Sequence, residues 1–508
     1  MKYFIGIDVG TSGTKTILVS ETGELIADSH ATYAISHPHN GWAEQNPEDW
    51  REAVFFTLKE VVKKANAAKR EIAGIGLSGQ MHGLVMLNEA GEVLAPAIIW
   101  SDQRTEAQVA EMKTLLPEKE WLAITANPPI AAWTAAKILW MREHKPEVFA
   151  QCKHILLPKD YIRYVLTGEF ITDVSDASGM QLMDVKNRCW SELILDKLEI
   201  DINMLPRICE STEPAGKLLP KVAAEVGLLE TTIVAAGASD NAAAAIGMGV
   251  VEEGQAFVTV GTSAIIYTHL EEYVSIPQGQ LHVCCAAVPG CWHTMGGPQA
   301  AGLSLNWFLD QFCLDYKIQA AEQGEDVFAV INEAVEKIKS GSEHLIYLPF
   351  LMGERTPNMD PNCRGVFFGL NTIHTQAHLL RAIMEGIGYS LADCNDILQA
   401  CGTEVTQLRA CGGGSRSNIW MQILAALLGC DITTLEKDEG PAFGAALLAG
   451  VAAGVYKDIR EICKKLVTPQ HTIRKKETEV ALYKTYQAFY KTLYTHVKDD
   501  FTALQLLN

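Results

Sequence analysis

The sequence predicts an α/β protein made of two related lobes, and two observations indicate this fold class. The tetrapeptide Val-Gly-Thr-Ser occurs at residues 9–12 and again at residues 260–263. Each copy lies between two apolar runs, which is the pattern of a strand, a tight turn and a second strand. A match of four residues is by itself open to chance, but both copies are also followed at a distance by helical segments. This shared setting favours a duplicated lobe, and 508 residues are enough for two large domains.

The first half of the chain alternates short apolar runs with polar or glycine-containing turns. Residues 3–7, 16–19 and 25–27 predict three strands joined by turns. Two later apolar runs each lead into a polar loop: 72–77 into 78–83, and 97–100 into 101–104. Because α/β sheets bind their ligands at strand ends, we expect these loops to reach a binding site.

Beyond residue 230 the chain contains a further strand end, a glycine loop and a predicted last helix. Residues 232–236 form an apolar run that places Asp240 at a strand end, before an alanine-rich helical pattern. The glycine loop at 412–418 precedes an apolar helical pattern over 419–428. Aromatic residues at three- and four-residue spacing predict a last helix over 480–507, whose aromatic face packs on a lobe.

The boundary between the lobes follows from the repeat, because no low-complexity linker separates them. The second copy of the turn begins soon after the alanine-rich helix, which places the boundary near residues 245–255. We therefore predict an N-terminal lobe at 1–245 and a C-terminal lobe, ending in the terminal helix, at 246–508.

Composition argues against several classes of partner. With 42 Lys and Arg against 61 Asp and Glu, the formal charge of −19 repels nucleic acid and anionic membranes, so we expect neither as a partner. The 13 cysteines lack metal-site and disulfide spacing and fit a reducing cytosol. The uncharged stretch 440–456 is rich in Gly and Ala and contains Pro441, which predicts a buried helix. We expect a cytoplasmic protein that binds small anions through a cation, backbone N–H groups or a helix N-terminus.

The turn after the first predicted strand has chemistry suited to a metal-bound phosphate. Asp8 ends the strand, Gly10 and Gly13 leave neighbouring backbone N–H groups approachable, and Thr11 and Ser12 supply hydroxyls. The spacing fits neither the dinucleotide-binding fingerprint nor the P-loop. An ordinary glycine hairpin is the alternative, although the recurrence of the turn at 259–263 favours a phosphate site.

Three candidate site residues have ordinary structural alternatives. Asp240 precedes a helix, where an aspartate is commonly an N-cap as well as a candidate base. His82 lies between Met81 and Gly83 and is, by spacing, as readily a packed loop histidine as a ligand contact. Trp100 is able to stack on a sugar, although a packed core tryptophan is the commoner fate. Residue types and spacing leave these alternatives open.

With these residues in view, almost the whole chain resembles the FGGY family of carbohydrate kinases, which includes glycerol, gluconate and xylulose kinases. The segments 8–15 and 259–263 are similar to the two phosphate motifs of that family, and 365–385 carries its C-terminal signature without a mismatch. A further signature around residues 132–144 fits except at Ala132, where another residue class is usual. The resemblance implies the actin and Hsp70 type of duplicated RNase H-like lobes, with a nucleotide and sugar cleft between them.

The resemblance also implies the role of each candidate residue, with ATP as phosphoryl donor and Mg²⁺ as its cation. Asp240 is the implied general base, and Asp8 the implied Mg²⁺ ligand. Sugar contacts are implied for Met81, His82, Trp100, Asp102, Asp176 and Asn241. The implied nucleotide-binding residues are Thr11, Ser12, Lys15, Gly261 and Thr262 for the phosphates, and Gly302, Asn306, Gly414 and Asn418 for the adenosine side.

Within the family, four loops are similar to those of members that phosphorylate D-xylulose: 41–47, 78–83, 156–161 and 175–179. Glycerol kinases carry Arg-Glu where this chain has Met81-His82. The implied reaction is therefore ATP-dependent conversion of D-xylulose to D-xylulose 5-phosphate, and a homodimer is compatible with the resemblance. One alternative is a kinase for another ketose or a sugar acid, such as ribulose or gluconate. A second is a non-catalytic nucleotide switch of the actin and Hsp70 kind, which would not need Asp240 or the sugar-type loops.

Overall fold

The computed structural model describes residues 1–65, 71–436 and 439–507, and all statements on structure refer to these ranges. The strands of the first half are β1 (Tyr3–Val9), β2 (Gly13–Ser20), β3 (Leu25–Thr32), β4 (Glu44–Gln45), β5 (Ile72–Gly79), β6 (Val85–Leu87), β7 (Ala97–Ile98), β8 (His154–Leu156), β9 (Ile171–Asp173), β10 (Met183–Asp184), β11 (Cys189–Trp190), β12 (Arg207–Cys209), β13 (Pro214–Lys217), β14 (Ile233–Ala235) and β15 (Ala238–Ser239). Its helices are α1 (Pro47–Ala65), α2 (Glu106–Leu115), α3 (Glu118–Thr125), α4 (Thr134–His144), α5 (Pro146–Phe149), α6 (Pro158–Thr167), α7 (Val174–Ala177), α8 (Glu192–Leu198), α9 (Pro220–Val226) and α10 (Asp240–Gly247).

The second half continues with the strands β16 (Gln255–Val260), β17 (Ala264–Leu270), β18 (His282–Cys285), β19 (Trp292–Gly296), β20 (Ile346–Leu348), β21 (Val366–Phe368), β22 (Gln407–Cys411), β23 (Ile432–Leu435) and β24 (Pro469–Ile473). Its helices are α11 (Gly302–Phe312), α12 (Leu314–Gln323), α13 (Val327–Glu336), α14 (Gln376–Ala400), α15 (Asn418–Leu428), α16 (Gly440–Ala452), α17 (Ile459–Leu466) and α18 (Glu477–Gln505). Short 3₁₀ turns occupy Ser178–Met180, Ile202–Met204, Pro277–Gly279, Ser342–His344 and Gly413–Arg416.

The first main sheet brings three chemically active strand ends to one edge. Its order is β13-β14-β5-β1-β2-β3, with β15 also paired to β5. Strands β1 and β5 are parallel, and their register sets Asp8 directly opposite Ser78. The short parallel strand β15 sets Ser239 opposite Gly79, so Asp240 begins α10 beside the same edge.

The second main sheet repeats this arrangement around the second copy of the turn. Its order is β18-β19-β17-β16-β22-β23-β24. Strands β16 and β17 form an antiparallel pair on either side of residues 261–263, as β1 and β2 do around residues 10–12. Because β16 and β22 are parallel, the loop that follows β22 at Cys411 reaches the same edge as the turn.

Helix α16 belongs to the second half by sequence but packs on the first sheet. Glycines of β1 and β5 allow this close approach, because a Cβ at Gly6 or Gly76 would overlap a backbone carbonyl of α16. The helix itself is almost wholly buried. In sequence, all strands of the first main sheet precede residue 245, and all strands of the second follow residue 246. The assignment of lobes to 1–245 and 246–508 stays a prediction.

The structure confirms the local expectations on which the two-lobe prediction depended. Both Val-Gly-Thr-Ser segments form a strand-turn-strand unit, and the helices expected at 419–428 and 480–507 are present as α15 and α18. Residues 440–452 form the expected buried helix. Among the described residues, no helix has the length and apolar character needed to cross a bilayer.

Candidate active site

The first turn places a partly buried carboxylate beside closely spaced backbone groups. Asp8 precedes the last residue of β1, and its Oδ1 accepts a hydrogen bond from Ser78 Oγ at 3.1 Å. Burial raises the pKa of Asp8 to about 6, although Ser78 and Lys15 oppose the shift. The turn is closed by the N–H of Gly10, which donates to the carbonyl oxygen of Gly13 at 3.0 Å.

The hydroxyl and cationic residues of this turn differ in what they contact. The indole N–H of Trp100 donates to Thr11 Oγ1 at 2.8 Å, and Trp100 is 37% exposed, so this tryptophan lies at the cleft and not in the core. Ser12 is exposed. The ammonium of Lys15 lies 2.7 Å from the carboxylate of Glu439, just before α16, so Lys15 joins the turn to the second half of the chain.

Asp240 and Asn241 form the centre of the predicted sugar site. Asp240 is the first residue of α10, and its Oδ1 accepts the backbone N–H of Asn241 at 2.7 Å and the side-chain amide of Asn241 at 3.0 Å. Burial raises the pKa of Asp240 to about 7, and the negative charge of Asp8 adds to the shift. The amide of Asn241 also lies 3.9 Å from the sulfur of Met81. Ser239, and not Asp240, is the N-cap residue of α10.

His82 is held in one tautomer. Its Nδ1 lies 2.8 Å from the carbonyl oxygen of Gly179, and because a carbonyl only accepts, Nδ1 carries the proton. The ring stacks on Trp133 at 4.6 Å between centroids and 14° between planes. Burial lowers the pKa of His82 to about 3, so the ring is neutral near pH 7. Its Nε2 is therefore an acceptor.

A cavity of about 290 Å³ lies between the two halves of the chain and joins these groups. Its size suits a small ligand. From the first half it is lined by Thr11, Met81, His82, Trp100, Asp240 and Asn241. From the second half it is lined by residues 263–265 and 295–299 together with His282, Arg355 and Thr356.

His282 and Arg355 line this cavity without having been expected from the sequence. Both ring nitrogens of His282 lack a hydrogen-bond partner in the described ranges, and burial holds its pKa well below the usual value. No described residue accepts a hydrogen bond from the Arg355 side chain, and Nε of that side chain is buried. For Arg355, the sequence carries the same pattern as residues 78–83, a polar loop after an apolar run, which here covers residues 345–351.

The second turn is packed against two of the predicted nucleotide residues. The N–H of Gly302 donates to the carbonyl oxygen of Gly261 at 2.9 Å, and a Cβ at Gly302 would overlap that oxygen. A Cβ at Gly414 would lie 2.5 Å from Cγ1 of Val260, so this position also requires a glycine. The structure therefore brings Gly261, Thr262, Gly302 and Gly414 together. Asn306 and Asn418 are exposed on the helices α11 and α15, which begin at this assembly.

Two predicted sugar-contacting aspartates do not reach the cavity. Asp102 is fully buried, and its carboxylate accepts the N–H of Ala43 at 2.6 Å and binds Arg104 through both oxygens. Asp176 is also fully buried, 3.6 Å from the ammonium of Lys159, and burial raises its pKa well above the usual range. Neither residue is among those that line the cavity, and the expectation that they contact the sugar stays a prediction.

A second group of metal-ligand types lies away from the cleft. Ligand atoms of His269, Glu271 and Cys291 lie within 4.8 Å of one another. The guanidinium of Arg460 already binds both oxygens of Glu271 at 2.7 and 2.8 Å and contacts the sulfur of Cys291 at 3.0 Å. An arginine thus supplies the positive charge of this group.

Comparison with known proteins assigns the fold. The N-terminal domain of the FGGY family of carbohydrate kinases matches residues 3–247, and its C-terminal domain matches residues 256–453. A curated relative, the xylulose kinase of Bacillus subtilis, is 39% identical over 99% of both chains. The gluconokinase of the same organism is 31% identical over 89% of this chain and 88% of its own. The solved structure of a ligand-bound xylulose kinase from Lactobacillus acidophilus has a TM-score of 0.92 and 27% identity, and covers 99% of this chain and all of its own.

The fold and the cleft are those of a two-lobed α/β carbohydrate kinase. The chain belongs to the FGGY family of carbohydrate kinases. The predicted actin- and Hsp70-like fold is thereby confirmed. As a member of a kinase family, the chain uses ATP as a substrate.

Proposed function

We propose that this kinase transfers the γ-phosphoryl group of ATP to the C5 hydroxyl of D-xylulose and forms D-xylulose 5-phosphate. The main support is one small cavity at the edge of the first main sheet, next to the first turn. It is lined by Asp240, Asn241, Met81 and His82. The similarity to a curated xylulose kinase over nearly the full length supports the same substrate.

In this proposal Asp240 is the general base. Its Oδ1 is occupied by Asn241, whereas Oδ2 receives no hydrogen bond from any other described residue and is open to a ligand hydroxyl. A base acts best when its pKa lies near the working pH, and the raised pKa of about 7 meets that condition. The sugar oxygen forms its bond to the γ-phosphorus as the bond to the bridging oxygen of ADP breaks, and Asp240 takes the hydroxyl proton.

The two turns grip the nucleotide phosphates from opposite lobes. Thr11, Ser12 and Lys15 on the first turn and Gly261 and Thr262 on the second supply hydroxyl, ammonium and backbone N–H donors. Gly302 and Gly414 let the backbone pack closely behind the second turn. Asn306 and Asn418 would contact the adenosine part of the nucleotide. Most of the rate enhancement in phosphoryl transfer comes from such positioning and charge neutralisation.

The residues around Asp8 fit a Mg²⁺ ion. Asp8 offers a partly buried carboxylate, and its charge raises the pKa of Asp240, so a cation between them would relieve their repulsion. Carboxylate and hydroxyl oxygens are the donors that Mg²⁺ prefers, and Ser78 orients Asp8 through a hydrogen bond. We propose Asp8 as the protein ligand, with Mg²⁺ neutralising charge on the transferred phosphates.

The sugar would contact His82, Met81, Trp100 and Asn241. His82 Nε2 accepts a hydrogen bond from a sugar hydroxyl, because Nδ1 is committed to Gly179. Met81 and Trp100 supply apolar surface beside it. The partly exposed position of Trp100 supports a role at the cleft.

A sugar acid is the second candidate substrate, and Arg355 favours it. The charge of Glu354 acts on Arg355, but no described carboxylate accepts a hydrogen bond from the guanidinium, which lines the cavity and suits a ligand carboxylate. A gluconokinase is also among the relatives.

We further propose that the protein acts in the cytoplasm, where its 13 free cysteines fit a reducing environment, and as a homodimer.

The test is Mg²⁺-dependent ADP formation from ATP with D-xylulose, D-ribulose, L-ribulose, gluconate and glycerol in parallel. Saturable turnover that is highest on D-xylulose would support the proposal, and a preference for gluconate would favour the second candidate. Asp240→Asn should lose the activity, whereas Asp315→Asn, an exposed position on α12, should keep it. Absence of sugar-dependent turnover with every sugar would contradict the kinase assignment and favour a nucleotide switch.

A further inference from the structure

His82 lies in a backbone conformation that needs support. Its φ angle is 65°, in the left-handed region that side-chain-bearing residues seldom occupy. Such a conformation persists only where surrounding contacts hold it. Since His82 lines the cavity, these contacts also determine where its Nε2 lies.

The start of helix α4 supplies the contacts. The ring of Trp133, the N-cap residue of α4, stacks on the His82 ring. The carbonyl oxygen of His82 accepts two hydrogen bonds, from Lys137 Nζ at 2.8 Å and from Thr134 Oγ1 at 3.2 Å. These three residues belong to the segment 133–144 that the sequence marked as a family signature but that the proposed reaction does not use.

Lys137 is unusual in its surroundings. It is fully buried, and no described carboxylate lies within ion-pairing distance of its ammonium, whose one hydrogen bond goes to His82. Burial lowers its pKa to about 7. Lys159 is equally buried but lies 2.6, 2.9 and 3.6 Å from three aspartates. The charge of Asp102 opposes the lowering of the Lys137 pKa and that of Arg104 adds to it, but neither forms an ion pair or hydrogen bond with the ammonium. A buried amine without an ion pair is costly to a fold, and the hydrogen bond to His82 is its direct contact.

We infer that Lys137 is a positioning residue, which fixes the carbonyl of His82 and so the acceptor nitrogen that the sugar meets. The inference rests on the proposed function, since it assigns His82 to the sugar. Lys137 is not among the residues that line the cavity, so its effect on the sugar would pass through His82. Its removal should therefore weaken sugar binding and leave ATP binding unaltered.

The test compares wild type, Lys137→Met and Thr134→Val by the initial rate of ADP formation. In Lys137→Met the KM for D-xylulose should rise roughly ten-fold, and the KM for ATP should stay within about two-fold. Thr134→Val removes the longer, uncharged bond and should give a smaller rise in the same direction. It also provides an isosteric variant if Lys137→Met does not fold.

Stability separates positioning from packing. Replacing an unpaired buried ammonium by a methionine should leave the melting temperature equal or higher, while sugar affinity falls. Lys159→Met is the matched control, because it leaves buried aspartates without their cation and should lower the melting temperature. If Lys137 were only a packing residue, its replacement would lower the melting temperature and raise the KM for both D-xylulose and ATP.

The last comparison repeats Lys137→Met in a His82→Ala protein. If Lys137 acts through His82, the second substitution should raise the sugar KM by less than about two-fold. An undiminished effect in that background, or an equal rise in the KM for ATP, would overturn the inference. If the wild type turned over another sugar instead of D-xylulose, the proposed function would fail, and the same variants with that sugar would still decide the role of Lys137.

Discussion

Replacing Asp240 by asparagine tests the proposed base most directly. The substitution keeps the side-chain shape and removes the proton acceptor whose pKa burial raises to about 7. A general base commonly contributes roughly 10²- to 10⁴-fold, so kcat should fall by that factor while the KM for ATP stays nearly constant. The assay is the initial rate of ADP formation at saturating sugar and ATP.

The raised pKa of Asp240 predicts how steeply the activity of the wild type depends on pH. Only the ionised carboxylate accepts a proton, so kcat/KM should fall as pH drops below the pKa. With the pKa of about 7 of the metal-free protein, the ionised fraction is roughly ten times smaller at pH 6 than at pH 8, and a bound Mg²⁺ would shift this fall to lower pH. The residual activity of Asp240→Asn should lack this slope. An unchanged slope in the variant would assign the titration to another group and refute the reasoning.

The raised pKa of Asp240 also predicts how the melting temperature of Asp240→Asn compares with that of the wild type. Folding raises the pKa of Asp240 from 3.8 to about 7, so the folded state binds this proton more tightly than the unfolded state. The free energy of unfolding that belongs to this group is therefore present at low pH and is lost as pH rises through about 4 to 7. Asp240→Asn avoids that loss and should melt no lower than the wild type at pH 8. Inactivity accompanied by a lower melting temperature would point to misfolding.

Three further substitutions address the nucleotide side, the sugar side and the lobe contact. Gly302→Ala places a Cβ on the carbonyl oxygen of the second turn and should raise the KM for ATP without altering that for the sugar; an unchanged ATP KM would contradict the packing argument. Arg355→Met removes the unpaired guanidinium and should raise the sugar KM roughly ten-fold, whereas an unaltered sugar KM would show that it only lines the cavity. Gly76→Ala forces helix α16 away from the first sheet and should lower the free energy of unfolding in urea by about 1–3 kcal/mol; an unshifted transition would show that the helix accommodates the methyl group.

The two turns could be predicted because their structure is local. A strand, a glycine turn and a second strand are encoded within a few neighbouring residues, and both copies formed as expected. The glycine loop before α15 belongs to the same class of local signal. The juxtaposition of Asp8, Ser78 and Asp240 depends instead on which strands pair, and a parallel register is not written in any one segment.

The aspartates that failed to reach the cavity show where local reasoning stops. Asp102 follows an apolar run, as predicted site residues do, but Arg104 two residues later binds both of its oxygens and turns it inward. Asp176 depends on Lys159, which is distant enough in sequence that no spacing rule links the two. Arg104 binds Asp102 directly, Lys159 lies 3.6 Å from Asp176, and only the tertiary structure shows that Lys159 is near.

The cavity needs both halves of the chain, and this has a consequence for substrate choice. His82 and Asp240 come from the first sheet, whereas His282 and Arg355 come from the second half and face the same space. Trp133 connects them, since its ring stacks on His82 and lies 5.3 Å from the ring of His282. A sugar that bridges these groups is bound in full only when the lobes keep this spacing, so we expect remote packing such as α16 on the first sheet to affect sugar binding as well as stability.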